Sequence, residues 1–421
     1  MRSRGESGLR KRAAENDRGW SHSLTSHDPI VIAGGGVGGF SAALALARIG
    51  RASLVLERAP AFREVGAGLQ LAPNATRILR DLGVLELLRE TAVAPEMVRI
   101  RRGTDGADLA RLSLKDAEKR WGAPYFNVHR ADLLSALLEQ ARQTDLIEIR
   151  TGATLTGFIE DERGIAVTYR SDDDFRRAAG DALIGADGLR SLVRLRLQAD
   201  ANDKPIYTGH TAWRALIPAE GLPEPMRRFA SNLWLGDRAH LVHYPLRGGK
   251  LVNVVALVED SWRGDDGAGD FWDNQGDRKF LLNRFKSWSR EALDLIGASD
   301  GWLRWPMFDR APIESWAWGR TALLGDAAHP MLPYLAQGAA QAIEDARALA
   351  GAFADRPDDA AGALATYSAA RMERASRIQQ AARDQGEIYH LSGFKAFARD
   401  LVLRASGSAL LLKRQDWIYS A

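Results

Sequence analysis

The feature that most constrains this chain is a glycine cluster set between an apolar run and a stretch rich in alanine and leucine. Pro29-Ile30-Val31-Ile32-Ala33 leads into Gly34-Gly35-Gly36-Val37-Gly38-Gly39, and the residues that follow, to about Gly50, carry the pattern of a helix. A second apolar run, Ala52 to Leu56, ends on Glu57. Strand, turn, helix and strand in that order make a βαβ crossover with a parallel pair and a right-handed connection. The glycines satisfy G-x-G-x-x-G: Gly34 permits a tight turn, Gly36 lets a pyrophosphate approach the backbone, and Gly39 lets the helix lie close on the strand. Val37 and Gly38 belong to the same helix N-terminus, whose unpaired N–H groups face a diphosphate. Glu57 is placed to accept hydrogen bonds from an adenosine ribose, which predicts a dinucleotide with a free 2′-hydroxyl.

Composition excludes several alternatives. There is no cysteine in the 421 residues, which removes disulfides, thiolate metal sites, iron–sulfur clusters and a catalytic thiol. No metal site is expected. The formal charge is only +3 and the charges are interspersed, so there is no concentrated basic face and nucleic acid is not an expected partner. No stretch approaches the roughly 20 apolar residues of a membrane-crossing helix. Residues 1–27 are polar, lack an apolar secretory core and read as a disordered tail, which leaves a cytoplasmic address as the expectation.

Further along, Asp181 to Asp187 and Thr321 to Asp326 are apolar runs that each end on an aspartate beside glycine, as strands delivering a carboxylate to one sheet edge would. Between them the character changes. Trp213, Trp234, Trp262, Trp272, Trp288, Trp302, Trp305, Trp316 and Trp318 fall here, with alternating segments at His240–Tyr244 and Leu251–Val255 that suit a sheet packed on one face. From Gln337 the pattern is helical, and Ala360 to Arg383 reads as one or more long helices. On it, Tyr367 and Arg371 lie at i and i+4 and read most simply as a helix-surface pair. Gly264, Gly267 and Gly269 sit in a polar loop, so no second dinucleotide turn exists. The resulting organisation is a tail (1–27), a discontinuous nucleotide-binding domain (28–200 and 321–365) contributing residues near 101–125 to the next unit, a sheet domain (201–320) and C-terminal helices (366–421).

The stretch Gly325-Asp326-Ala327-Ala328-His329-Pro330, followed by Pro333-Tyr334-Leu335-Ala336-Gln337-Gly338-Ala339-Ala340-Gln341-Ala342-Ile343-Glu344-Asp345, resembles the flavin-dependent aromatic hydroxylases of the para-hydroxybenzoate hydroxylase type. The resemblance runs from about Asp28 to the C-terminus. It implies an α/β fold: a Rossmann-like FAD-binding domain of the GR2 type, an inserted mixed-sheet substrate domain and a helical C-terminal region. It further implies non-covalent FAD, with Asp326 on the ribityl chain and the backbone of Gly338 and Ala339 at the N1–C2=O edge of the flavin. Arg130 would lie near the pyrophosphate, Arg58 beside Glu57, and Gly68 and Gln70 alongside the isoalloxazine, in the segment Gly66–Asn74. Asp187, in Asp187-Gly188-Leu189-Arg190-Ser191, matches a second fingerprint that serves flavin and nicotinamide. NADH or NADPH would bind transiently, and O2 would react at flavin C4a to give a hydroperoxide that hydroxylates an electron-rich ring. A monomer or homodimer is expected.

Tyr207–Arg214, His243-Tyr244-Pro245 and Asp416-Trp417-Ile418-Tyr419 are similar to the branch acting on salicylate, 3-hydroxybenzoate and 6-hydroxynicotinate. A small aromatic acid is the substrate this implies. His210 is then the candidate base toward a ring hydroxyl, suited by a pKa near neutrality, and the Pro333 carbonyl lies near the substrate. Arg214, whose fork suits a carboxylate, Tyr244, Tyr334 and Gln337 are the candidate substrate contacts. His210 as an ordinary strand histidine and Arg214 in an ion pair within the sheet are the competing readings. His243 and Tyr244 alternate on one strand, so only one of them lines the pocket. An epoxidase of larger polyene or polyketide substrates, a reductase or dehydrogenase without oxygen insertion, and a flavin sensor remain as alternatives.

Overall fold

The structure, a computed structural model, describes residues 28–62, 67–198, 203–261 and 274–420. The N-terminal 27 residues, Gly66, Trp262, Trp272 and the glycines at 264, 267 and 269 lie outside the described residues.

Ile30–Ala33 is a wholly buried central strand. Ser53–Glu57 pairs with it on one side and Ala182–Gly185 on the other, both in parallel. Ile147–Thr151, Thr321–Leu323 and the short antiparallel edge Ala317–Trp318 complete six strands. The runs are continuously apolar because elements cover both faces. Helices Val37–Arg48, Arg130–Ala141 and Gly338–Asp355 share this core with Ile165, Val167 and Tyr169 of a three-stranded meander spanning Ala153–Gly180.

The second sheet has eight strands, in the order Gln275–Gly276, Trp302–Asp309, Ile206–Pro218, Leu251–Glu259, Ala239–Leu246, Ala230–Gly236, Met97–Arg102 and Asp108–Ser113. Only Ala230–Gly236 and Met97–Arg102 run parallel. Alternation assigns its faces. Trp213, Ala215, Ile217, Trp234, Leu241, Val252, Val254, Ala256 and Trp302 pack beneath helices Arg278–Arg284 and Arg290–Gly297. The intervening residues, among them His210, Ala212, Arg214, His240, Tyr244, Asn253 and Leu257, look the other way, toward the first domain.

One helix runs unbroken from Ala360 to Tyr389, so a division at 365/366 falls inside it. Tyr367 and Arg371 are not a surface pair: they are 0% and 5% exposed. The face that carries them packs on Thr321–Leu323 and on the helix Gly338–Asp355. There the Tyr367 hydroxyl donates to the Leu323 carbonyl at 2.9 Å, and Arg371 meets Glu344 and Asp345. The 3.6-residue period identifies a face; what the face touches is a tertiary matter. Among the described residues, no helix is long and apolar enough to cross a membrane, and no group of side chains is disposed to hold a metal ion.

Candidate active site

The glycine turn is shaped by close approach. Gly34 has φ +109°, and a Cβ there would stand 2.4 Å from the carbonyl oxygen of Ala186, the residue after the neighbouring strand. A Cβ at Gly39 would lie 1.9 Å from the Gly34 oxygen, and one at Gly38 would lie 2.8 Å from Leu324. Gly36 differs, since nothing lies within 4 Å of its missing Cβ. It is also the N-cap of the helix Val37–Arg48, which has no side-chain cap and no acidic residue in its first turn. Its first N–H groups are therefore left for an anion.

Glu57 is pinned by Gly35 N (2.7 Å) and Ala59 N (2.8 Å), which fixes the carboxylate while leaving it further acceptor capacity. Arg58, next to it, is exposed. Arg130 opens the helix Arg130–Ala141; burial lowers its guanidinium pKa, and the charges of Asp326 and Glu57 oppose that, so cation and carboxylates converge on one cleft. Asp326 has an accessible side chain, yet the cleft walls desolvate its carboxyl and raise its pKa against the opposing effects of His329 and Arg130. Gly338 adjoins it: a Cβ there would be 3.9 Å from Asp326 Oδ1. With Ala339 it starts a second helix that has neither a side-chain cap nor an early acidic residue.

Asp187 is partly committed elsewhere. Its Oδ2 accepts from Leu192 N (2.7 Å) and Val193 N (3.2 Å), capping the helix Leu192–Gln198, and burial raises its pKa. Gly68 marks the contact between domains: its N–H donates to Asn253 Oδ1 at 2.9 Å, and a Cβ would strike the Tyr244 ring. Gln70 lies half-buried on the same face of that strand.

Beneath the Gly338 helix runs a buried polar network that sequence reasoning missed. Arg371 donates to Asp345 (2.7 Å), Glu344 (2.8 Å) and Gln341 Oε1 (2.7 Å). Arg374 adds two bonds to Glu344, at 2.7 and 2.9 Å. Glu344 Oε1 accepts from Asn74 and Gln341, and both amides also donate to Gln337 Oε1. Gln337 is thus 2% exposed and engaged with protein groups at its oxygen. On the other arm Asp345 accepts from Gly325 N (3.0 Å) and pairs with His329 Nε2 (2.6 Å), bracing the turn that carries Asp326. Burial alone would raise both carboxyls, but the neighbouring His329 and Arg371 hold Asp345 down to about 2, and Arg374 and Arg371 hold Glu344 low. One signal was available: Gln337, Gln341, Glu344 and Asp345 fall at i, i+4, i+7 and i+8, a polar face on an otherwise alanine-rich helix.

Across the cleft, Tyr244 faces the nucleotide domain. His243 points away and accepts from Trp234 Nε1 at 3.0 Å, and burial takes its pKa down to about 3. Arg214 stacks over Trp305 with its Cζ 4.0 Å from the ring centroid. It forms no ion pair among the described residues, its Nε has no hydrogen-bond partner, and burial lowers its pKa to about 10. The ion pair within the sheet considered as its competing reading is absent among the described residues. His210 Nδ1 lies 3.1 Å from the Thr208 carbonyl, and burial lowers the pKa of its ring. Between them lies an apolar floor of Ala212, Leu257, Leu332 and Tyr334, edged by Val255, Trp305 and Met307. Pro333 begins the short turn Pro333–Leu335, and Tyr334 packs against Gly386 of the long helix.

The fold thus brings together two uncapped helix N-termini, the Glu57 and Asp326 carboxylates and the Arg130 cation between them. The family model for the FAD binding domain matches residues 28–382. The chain belongs to the FAD-dependent aromatic hydroxylases. It is 40% identical to 3-hydroxybenzoate 6-hydroxylase 1 of Aquipseudomonas alcaligenes over 93% of this chain and 98% of the relative. It is 36% identical to a 3-amino-4-hydroxybenzoate 2-monooxygenase of Streptomyces platensis, over 94% and 97%. Among solved structures, Klebsiella pneumoniae HpxO complexed with FAD and uric acid aligns with a TM-score of 0.81 at 26% identity, covering 93% of this chain and 96% of that one. A salicylate hydroxylase substrate complex gives 0.77 at 25%, covering 94% and 96%. The chain is accordingly a flavoprotein monooxygenase with FAD as cofactor and NAD(P)H and O2 as co-substrates.

Proposed function

We propose that this enzyme hydroxylates a small aromatic acid bearing a ring hydroxyl, with 3-hydroxybenzoate the first candidate. The observation that carries the reading is Arg214, a half-buried cation with no ion pair among the described residues, on the side of the sheet that looks toward the first domain. A desolvated guanidinium is costly unless an anion joins it, and its planar fork fits a carboxylate. His210 stands four residues away on the same face, about 13 Å along the strand between Cα atoms. The Arg214 guanidinium leans over Trp305, which pairs opposite Ala212, and so reaches back toward His210. In this reading the ring lies over Ala212, with its carboxylate toward Arg214 and its hydroxyl toward His210.

When bound, FAD accepts electrons from NAD(P)H and activates O2. Gly36–Gly38, Arg130 and Glu57 would hold its diphosphate and adenosine, Asp326 its ribityl chain, and the Gly338–Ala339 N-terminus its pyrimidine edge. His210 serves as base. Its Nδ1 faces a carbonyl and so carries the proton, which leaves Nε2 as acceptor; the phenolic O–H bond breaks, an Nε2–H bond forms, and the ring gains electron density. Leu257, Leu332 and Trp305 keep water out, which matters because activated oxygen that meets water is lost as peroxide.

The test is NADH and NADPH oxidation with 3-hydroxybenzoate, salicylate and 6-hydroxynicotinate, followed by product identification. We expect 3-hydroxybenzoate to accelerate oxidation and yield a dihydroxybenzoate. Oxidation indifferent to all three acids would overturn the reading. His210→Ala should retain FAD and consume NAD(P)H while product falls and peroxide rises, with lost oxygen transfer on the scale of about 100- to 10,000-fold.

A further inference from the structure

His210 does not stand alone. Its ring stacks on His390, with centroids 4.8 Å apart and planes at 27°. His390 Nε2 in turn lies 2.8 Å from His240 Nδ1. The three come from strand Ile206–Pro218, from the residue that caps the C-terminus of the long helix, and from strand Ala239–Leu246. Tyr334 closes over the group, 5.6 Å from His240 and 5.7 Å from His390, and Tyr389 meets His240 at 5.4 Å.

We propose that His390, fixed by its hydrogen bond to His240, is a positioning residue for His210: it sets the plane of the His210 ring and offers a π face to the imidazolium formed on proton uptake. The proposal rests on His210 acting as base. The Thr208 carbonyl fixes the Nδ1 edge and His390 fixes one face, so the base keeps one free edge, Nε2, for the phenol. The proton balance is simple: the phenol loses it, Nε2 gains it, and Nδ1–H stays on Thr208. A stacked ring face favours a desolvated cation through its quadrupole.

The surrounding charges select which of the three rings takes the proton. Burial lowers the pKa of His210 as well, but the Thr208 carbonyl and Glu259, which pairs in register with His210 on the adjacent strand, oppose that shift. His390 is pushed down to about 3 by burial, with His210, Arg284 and Arg399 adding to the effect. Burial, together with His390 and His210, holds His240 well below its ordinary value. Two of the imidazoles therefore stay neutral across the working range, and the third is the acceptor.

The test reads ionisation of a bound phenol on the oxidised holoenzyme, without turnover. The probe is 3-hydroxy-4-nitrobenzoate, whose phenolate is followed by difference absorbance at fixed pH. His390→Ala should lower the bound phenolate-to-phenol ratio about threefold to tenfold, while His390→Phe, which keeps a π face, stays within about twofold of wild type. His390→Leu fills the space without a π face and should match His390→Ala; it replaces that variant in the test should His390→Ala not retain FAD. A wild-type ratio in His390→Ala or His390→Leu, with the ratio abolished in His210→Ala, overturns the role of His390 and leaves the base intact. A wild-type ratio in His210→Ala overturns the base itself.

Discussion

Replacing Arg371 by methionine removes the cation that both arms of the buried network share. Glu344 keeps Arg374, and Asp345 keeps His329 and Gly325 N, so the loss should fall below the ~3–5 kcal/mol of a buried pair left wholly unpaired. The displacement of the Asp345 carboxyl from its ordinary 3.8 to about 2 sets the scale. It corresponds to about 2 kcal/mol of preference for the ionised form, of which Arg371 supplies a share. Because the folded pKa is depressed, this stabilisation is present above the unfolded value and is lost as pH falls toward the folded one. Urea unfolding should show wild type about 1–2 kcal/mol more stable than Arg371→Met at pH 7, with the gap narrowing below about pH 4. Asp345 also braces Gly325, the residue before Asp326, so FAD should dissociate more readily from the variant. Arg371→Lys retains the charge without the fork and should fall between. A gap that is negligible at pH 7, or that widens on acidification, refutes the account of the network.

Other consequences are independent of Arg371. Gly36→Val should leave the stability of the apoprotein nearly unchanged, because nothing lies within 4 Å of its Cβ position, while obstructing the diphosphate; FAD titration of the apoprotein separates the two effects. Asp326→Ala should weaken FAD retention more than Asp187→Ala, whose main cost is about 1 kcal/mol of helix capping, and equal retention would remove that ranking. Arg214→Met should raise the KM for the aromatic acid about 10- to 100-fold through loss of a charged hydrogen bond while FAD content is retained.

What was legible in the chain follows from the range over which each constraint acts. The Gly34–Gly39 turn is a local device: a positive φ at Gly34 and a backbone approach so close that a Cβ at Gly39 would stand 1.9 Å from the Gly34 oxygen leave their mark as glycine. Alternation separated His243 from Tyr244 for the same local reason, but which of them meets the cleft depends on the helices that cover one face of the sheet. The carboxylate of Asp326 at a strand end was legible from the apolar run before it, but its adjacency to Gly338 was not, since that arises from a turn closing on a helix start. Tyr367 and Arg371 were misread because an i, i+4 pair looks the same facing water or facing Glu344 and Asp345. The His240–His390 contact joins residues 150 apart and has no local signature at all. The polar faces of two helices, one with two carboxylates and the other with two arginines, are complementary only once they are opposed. Such a match stabilises when every donor and acceptor is placed, and is costly otherwise. The network beneath the Gly338 helix can therefore fix Gln337 on one arm and the Asp326 turn on the other, so that the placement of both depends on one arginine.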